Sequence, residues 1–216
     1  MIKAVIFDMD GLMIDSEVVT FDCYKKVMGE MGLEIPLEFY VTLLGKPVTH
    51  AHQRFHTVYG ENFPVEEVIK KVHTMLAETF QTKGVPLKPG LIELLKYLKE
   101  NNYKTIVATS SNRARVDKIL YHAGIEQYFD DSICGDEVTK GKPNPEIFLK
   151  ACEKLGVEPS EALVLEDSEA GIQAAYSGNI KVICVIDMKV PDDNYKEMTT
   201  KIVDTLHDVI DYVKEA

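Results

Sequence analysis

Four short apolar runs, each ending in polar residues, constrain the fold of this chain more than any other feature. They cover residues 2–7, 105–108, 162–165 and 182–186, and β-branched residues recur in them. Runs of this length and make-up read as strands buried on both faces. Between them the period changes. Leu91, Leu94, Leu95 and Leu98 fall at i, i+3, i+4 and i+7, and so do Val116, Ile119, Leu120 and Ala123. Ile147, Phe148, Ala151, Cys152 and Leu155 form one face of a third helix. Strands alternating with helices predict an α/β fold with a parallel sheet covered on both sides. In such a sheet, ligands bind at the carboxyl ends of the strands.

Residues 16–85 break the alternation. Phe21, Tyr24, Met28 and Met31 sit at helical spacing, and helical segments follow near 49–59 and 65–82, with no strand signal. About 70 helical residues are too many for a simple crossover. The expectation is a core of residues 1–15 and 86–216 carrying an inserted helical subdomain at 16–85. Its hinges are Ile14-Asp15-Ser16 and the stretch Gly84-Val85-Pro86-Leu87-Lys88-Pro89-Gly90. Met28 and Met31 are expected to pack the insert.

Charge narrows the function. The 216 residues carry 24 Lys plus Arg against 35 Asp plus Glu, a formal balance of −11. That argues against a nucleic-acid binder, which needs a basic face, and disfavours an anionic membrane surface. An anionic small substrate needs local positive compensation. No apolar run approaches the ~18 residues of a spanning helix, and Asp8 comes too early for a signal peptide. Cys23, Cys134, Cys152 and Cys184 lack metal-site or redox spacing. These features predict a cytoplasmic monomer with reduced, structural cysteines.

The chemistry collects where the strands end. The first run closes in Asp8-Met9-Asp10-Gly11, and two carboxylates spaced by two leave a strand end on the same side. Unpaired they repel, and a divalent cation removes that penalty. The spacing does not suit a calcium loop, since Gly11 is fourth rather than sixth and no Glu closes a twelve-residue loop. The second run ends in Thr109-Ser110-Ser111-Asn112 before a helix, which reads equally as an anion site or as an ordinary N-cap. Lys140-Gly141-Lys142-Pro143-Asn144-Pro145 puts two cations before another helix. The run at 162–165 leads into Glu166-Asp167-Ser168. A carboxylate pair, a hydroxyl, a lysine and a second carboxylate pair together match magnesium-assisted phosphoryl transfer.

At this point the sequence resembles the haloacid dehalogenase superfamily, whose four motifs are met by Asp8-Met9-Asp10-Gly11, Thr109, Lys142 and Glu166-Asp167. The stretches around them resemble its β-phosphoglucomutase-like branch, and the likeness covers essentially the whole chain. The resemblance implies a Rossmann-like core with a mobile helical cap. It implies Asp8 as the nucleophile that becomes an aspartyl-phosphate and Asp10 as general acid and base. Thr109, Ser110 and Lys142 would hold the phosphoryl group. Mg2+, with Mn2+ or Co2+ able to substitute, would be held by Asp8, Asp10 through its carbonyl, Asp167, and Glu166 either directly or from behind. Asp10 argues against dehalogenation, because a departing halide needs no proton.

Three activities fit that set. The favoured one is a phosphatase acting on small phosphorylated metabolites, above all sugar phosphates. A β-phosphoglucomutase is the alternative, and a phosphorylated receiver domain is a weak third, since no suitable Asp closes a separate strand. Where the mutases carry a cap His and a phosphate-gripping Arg, this chain has Thr20 and, approximately, Val48, with Lys46 and Arg54 offset nearby. Water is therefore the expected acceptor. His52 and His56 share a helix face beside His50, but without a following Glu they read as a solvated helix rather than a metal site. Asp192-Asp193 lies in a polar loop to which no function is assigned.

Overall fold

The computed structural model describes residues 1–44 and 48–215. In chain order the elements are β1 (Ala4–Phe7), α1 (Ser16–Glu30), α2 (Leu37–Val41), α3 (Val48–Tyr59), α4 (Val65–Lys83), α5 (Leu91–Glu100), β2 (Lys104–Ala108), α6 (Arg113–Ala123), β3 (Asp131–Ile133), α7 (Glu146–Leu155), β4 (Ala162–Glu166), α8 (Glu169–Ser177), β5 (Lys181–Val185), α9 (Asp193–Lys196), β6 (Lys201–Val203) and α10 (Leu206–Glu215). The chain divides into two compact units, Met1–Asp15 with Val85–Ala216, and Ser16–Gly84.

In the first unit the strands form one sheet in the order β3-β2-β1-β4-β5-β6, with every pairing parallel. This is the strand order of the doubly wound dinucleotide-binding fold, and its direction reverses between β1 and β4. The reason is visible in the side chains. β1 and β4 are buried at every residue, so neither strand can sit at an edge or face water. Ala4, Ile6, Ile106, Ala108, Val164 and Cys184 pack on one side against α7 and α8. The alternate residues Val5, Phe7, Val107, Leu163 and Ile183 are buried on the other, where α5 and α10 pack together.

The two strands without an apolar run are β3 and β6, three residues each at the sheet edges. Asp131 breaks the apolar pattern of β3, and its Oδ1 accepts from the Ser132 amide at 2.6 Å. All four cysteines are buried and free, and burial pushes the Cys134 and Cys152 thiols up to about 11 and Cys184 up to about 12.

The helical unit is held by aromatic rings. Phe55 is fully buried and its ring lies 5.9 Å from Tyr24, 5.1 Å from Phe39 and 5.4 Å from Phe63. Tyr40 stacks on Phe21 at 5.1 Å. Met28 is buried as expected, but Met31 is 40% exposed. The helix stops at Glu30, so the helical period that placed Met31 inside no longer applies to it. Lys46 lies outside the described residues.

Phe55 bridges rings from α1, α2 and the segment beyond α3, so its loss cannot be filled from one side. Phe55→Ala is expected to lower the stability of the helical unit by roughly 3–5 kcal/mol. Urea unfolding followed by tyrosine fluorescence measures it, and a change below about 1 kcal/mol contradicts this packing.

Candidate active site

The point where the strand order reverses gathers the charged side chains. β1 is paired with β4 so that Phe7 lies opposite Leu165, which places Asp8 level with Glu166. Lys142 arrives from the loop after β3 and is inserted between them. Its Nζ lies 2.5 Å from Asp8 Oδ1, 2.6 Å from Glu166 Oε1 and 3.2 Å from the Ala108 carbonyl. An ammonium has three N–H donors, and all three are used. The side chain is only 5% exposed, and its Nζ sits 4.8 Å above the Phe148 ring. Burial alone would lower the Lys142 pKa, but Asp8 and Glu166 hold it above its ordinary value.

The loop that delivers Lys142 is tied to the start of α7. Both Glu146 oxygens accept main-chain amides, Thr139 at 2.8 Å and Lys140 at 2.9 Å. Asn144 Oδ1 accepts from the Glu146 amide at 3.1 Å. The Lys142–Pro143 bond is cis.

Glu166 is fully buried and both its oxygens have protein partners. Oε1 takes Lys142, while Oε2 accepts from the Asp167 amide at 2.9 Å, the Ser168 amide at 2.8 Å and Ser168 Oγ at 2.9 Å. Four donors on one carboxylate make it a fixed support for the lysine and for the turn into α8. Asp167 differs. Its Oδ1 is buried with no hydrogen-bond partner. Burial first, then repulsion from Glu166, Asp8 and Asp187, pushes its pKa well above the ordinary carboxylate range. Burial likewise pushes Asp8 up to about 7, with Lys142 pulling down and Glu166 and Asp10 pushing up.

Asp10 opens a tight turn in which Met13 and Ile14 amides return to the Met9 carbonyl at 3.0 and 3.1 Å. Gly11 has φ +83°, and a Cβ there would meet the Asp167 carboxylate, so conformation and space both require glycine. The Asp10 carboxylate is held from two sides, by Ser111 Oγ at 2.8 Å and Arg115 Nη2 at 2.5 Å.

Thr109 is buried beyond β2, its Oγ1 accepting from the Ser111 amide at 3.2 Å. Ser110 is exposed. The N-cap alternative is met by Asn112, whose Oδ1 accepts from the Arg115 amide at 3.0 Å. The Arg113 amide is taken by Asp136 at 3.1 Å. Two amides at the start of α6 are thus taken, and the donor of the Thr109–Ser111 turn that meets a site carboxylate is the Ser111 hydroxyl on Asp10.

Sequence reasoning missed Ser111, Arg115, Asp187 and Lys88. Arg115 carried a faint signal, one turn into a helix that follows a candidate anion turn. Asp187 carried none beyond lying just past β5. Its Oδ1 lies 2.7 Å from Lys88 Nζ.

Does the set fit a divalent cation? The unpartnered Asp167 oxygen and the raised Asp8 and Asp167 carboxyls mark a volume short of positive charge. Among the described residues no three His, Cys, Asp or Glu side chains are grouped to hold a metal ion. The set expected here does not need three, since it is two carboxylates and the Asp10 carbonyl. Mg2+ suits such a set, because it commonly uses one or two carboxylates and keeps several waters.

Gly171 is the test of the Glu166 support, since a Cβ there would run into the Glu166 carboxylate. Gly171→Ala gains about 1 kcal/mol of helix propensity. It is expected to lose more, because each charge-assisted bond it disturbs is worth about 1.5–3 kcal/mol. Chemical denaturation should show a net loss, and a variant as stable as the native chain contradicts the geometry.

Residues 5–185 match the family model described as haloacid dehalogenase-like hydrolase. A phosphorylated carbohydrates phosphatase of Thermotoga maritima is 33% identical over 181 residues, covering 84% of this chain and 83% of that protein. A fructose-1-phosphate phosphatase of Escherichia coli is 29% identical, covering 83% and 94%. The crystal structure of a β-phosphoglucomutase from Clostridium difficile superimposes with a TM-score of 0.77 at 25% identity, covering 100% of this chain and 96% of that one. With the family model spanning β1 through β5 and all four strand-end motifs, the chain belongs to the haloacid dehalogenase-like hydrolase family.

Proposed function

We propose that the protein is a Mg2+-dependent phosphatase of small phosphorylated metabolites, chiefly phosphorylated carbohydrates, acting as a monomer through an aspartyl-phosphate on Asp8. The observation that carries this is Asp8 itself, a nearly buried carboxylate pinned by Lys142 at the sheet's reversal point, with Asp10 and the Thr109–Ser111 turn beside it. The relatives named as sugar-phosphate phosphatases support the substrate class.

In this reading Asp8 attacks phosphorus in line, the bond to the leaving oxygen breaks, and Asp10 gives that oxygen its proton. Water then attacks the phosphorus of the aspartyl-phosphate, Asp10 takes the water's proton, and inorganic phosphate leaves with Asp8 restored. Thr109, Ser110 and Lys142 hold the phosphoryl oxygens, Lys142 with the donor that now makes the long 3.2 Å contact to the Ala108 carbonyl. Asp8, the Asp10 carbonyl and Asp167 would hold the cation, with Glu166 behind Lys142. The cation, when bound, supplies positive charge for the phosphoryl oxygens and lets the raised carboxyls ionise.

Water is favoured over a second sugar hydroxyl because of the helical unit's side chains. Thr20 is a short neutral side chain near the Tyr40 hydroxyl, Val48 is apolar and 65% exposed, and Arg54 lies over the Phe39 ring with Nε 3.4 Å from Thr42. Two assays test the reading. Given sugar phosphates and Mg2+, the protein should release inorganic phosphate with steady turnover. Given β-glucose 1-phosphate and the 1,6-bisphosphate, it should form little glucose 6-phosphate. Glucose 6-phosphate forming much faster than phosphate is the mutase result and overturns the proposal.

Asp10→Asn should slow turnover by about 10²–10⁴. The loss should be larger for sugar phosphates than for an aryl phosphate, whose phenolate departs without a proton. Equal losses on the two substrates count against the acid role.

A further inference from the structure

The site contains one carboxylate for which the proposed reaction has no use. Asp187 stands two residues past the end of β5, on the strand next to β4. Its side chain is only 8% exposed. Lys88, itself 14% exposed, donates to Asp187 Oδ1 at 2.7 Å. The other oxygen is turned inward. A Cβ built on Gly11 would lie 3.2 Å from Asp187 Oδ2 and still nearer to Asp167 Oδ2. The two carboxylates therefore border one small volume beside the Asp10–Gly11 turn. The other oxygen of Asp167, Oδ1, is buried without a partner.

Two nearly buried carboxylates turned toward each other are unfavourable unless something positive lies between or beside them. Lys88 neutralises Asp187 only from its far side. Lys88 is itself fixed, because its amide donates to the Met13 carbonyl at 2.9 Å and Leu87 bridges to Ile14. A bound Mg2+ keeps several waters, and those waters need acceptors outside the ligand set. Such outer partners orient the ligands and commonly account for about 10–100-fold in metal affinity.

We propose that Asp187, oriented by Lys88, is a positioning residue of the cation site: its Oδ2 accepts a hydrogen bond from the ion's hydration shell and holds the ion against Asp167. This rests on the metal-dependent reading above. Asp187 is not a ligand and does not touch substrate. Its effect is on how tightly the cation is held.

Asp187→Asn is informative because Lys88 still requires an acceptor. The amide oxygen stays on Lys88, and the NH2 group is turned toward the ion's shell, where it cannot accept. The variant also removes a negative charge. Lys88→Met/Asp187→Asn removes the pair without changing net charge and leaves no stranded ammonium, so it serves if the single variant does not fold.

The experiment titrates Mn2+ into the full chain and follows free Mn2+ by electron paramagnetic resonance, with a thermal melt of each variant as the folding check. Native protein should bind one Mn2+. Asp167→Asn should abolish that binding. The single and the charge-balanced double variants should each weaken it about 10–100-fold, and at saturating Mg2+ the KM for a sugar phosphate should be unchanged. If Asp167→Asn loses Mn2+ while both Asp187 variants bind within about twofold of native, the cation site stands and this inference is overturned. If the native protein binds no Mn2+, the metal-dependent reading fails and the inference fails with it.

Discussion

Lys142 carries a positive charge into a place where charge is expensive. An isolated buried ion costs several kcal/mol even after relaxation. The penalty is met by three acceptors on three different elements: Asp8 after β1, Ala108 at the end of β2 and Glu166 at the end of β4. Each partner is in turn immobilised. Glu166 is held by the Asp167 and Ser168 donors and by the absence of a side chain at Gly171. The Lys142 loop is held by Glu146 at the start of α7. The three central strands are thereby cross-linked at their carboxyl ends, and a carboxylate is fixed where strand order reverses. Removing Lys142 leaves two buried carboxylates facing each other without a counter-charge.

That arrangement resolves the problem set by the overall charge of −11. An acidic protein that handles phosphate needs positive charge at one point rather than across its surface. Lys142 supplies part of it from within, and Arg115 stands on the other side of Asp10. The carboxyls of Asp8 and Asp167 are raised by burial and mutual repulsion, and the proposed cation would offset that surplus negative charge at the strand ends.

The central strands were legible because they are buried on both faces. Residues 4–7 and 162–165 have no polar position to obscure the run, Asp8 and Glu166 close those runs directly, and Lys142 lies between Gly141 and Pro143. The edge strands were not. In β3, Asp131 and Ser132 look like loop residues, the first exposed at the sheet edge and the second a buried hydroxyl that takes Arg113. β6 is three residues long. The missed site residues share another cause. Ser111 and Arg115 meet Asp10 across more than 100 residues, and Lys88 meets Asp187 across 99. Those contacts follow from sheet order, which no local period encodes. Met31 shows the converse error, a true helical period carried one residue beyond the helix that justified it.

Covalent capture at Asp8 tests the central claim most directly. Protein mixed with a 32P-labelled sugar phosphate and Mg2+, then quenched within milliseconds, should carry a hydroxylamine-labile label on the peptide containing Asp8. Asp10→Asn should retain that label longer, because the step that discharges it uses the same base. A label found on a histidine, a serine or any peptide without Asp8 would contradict the account.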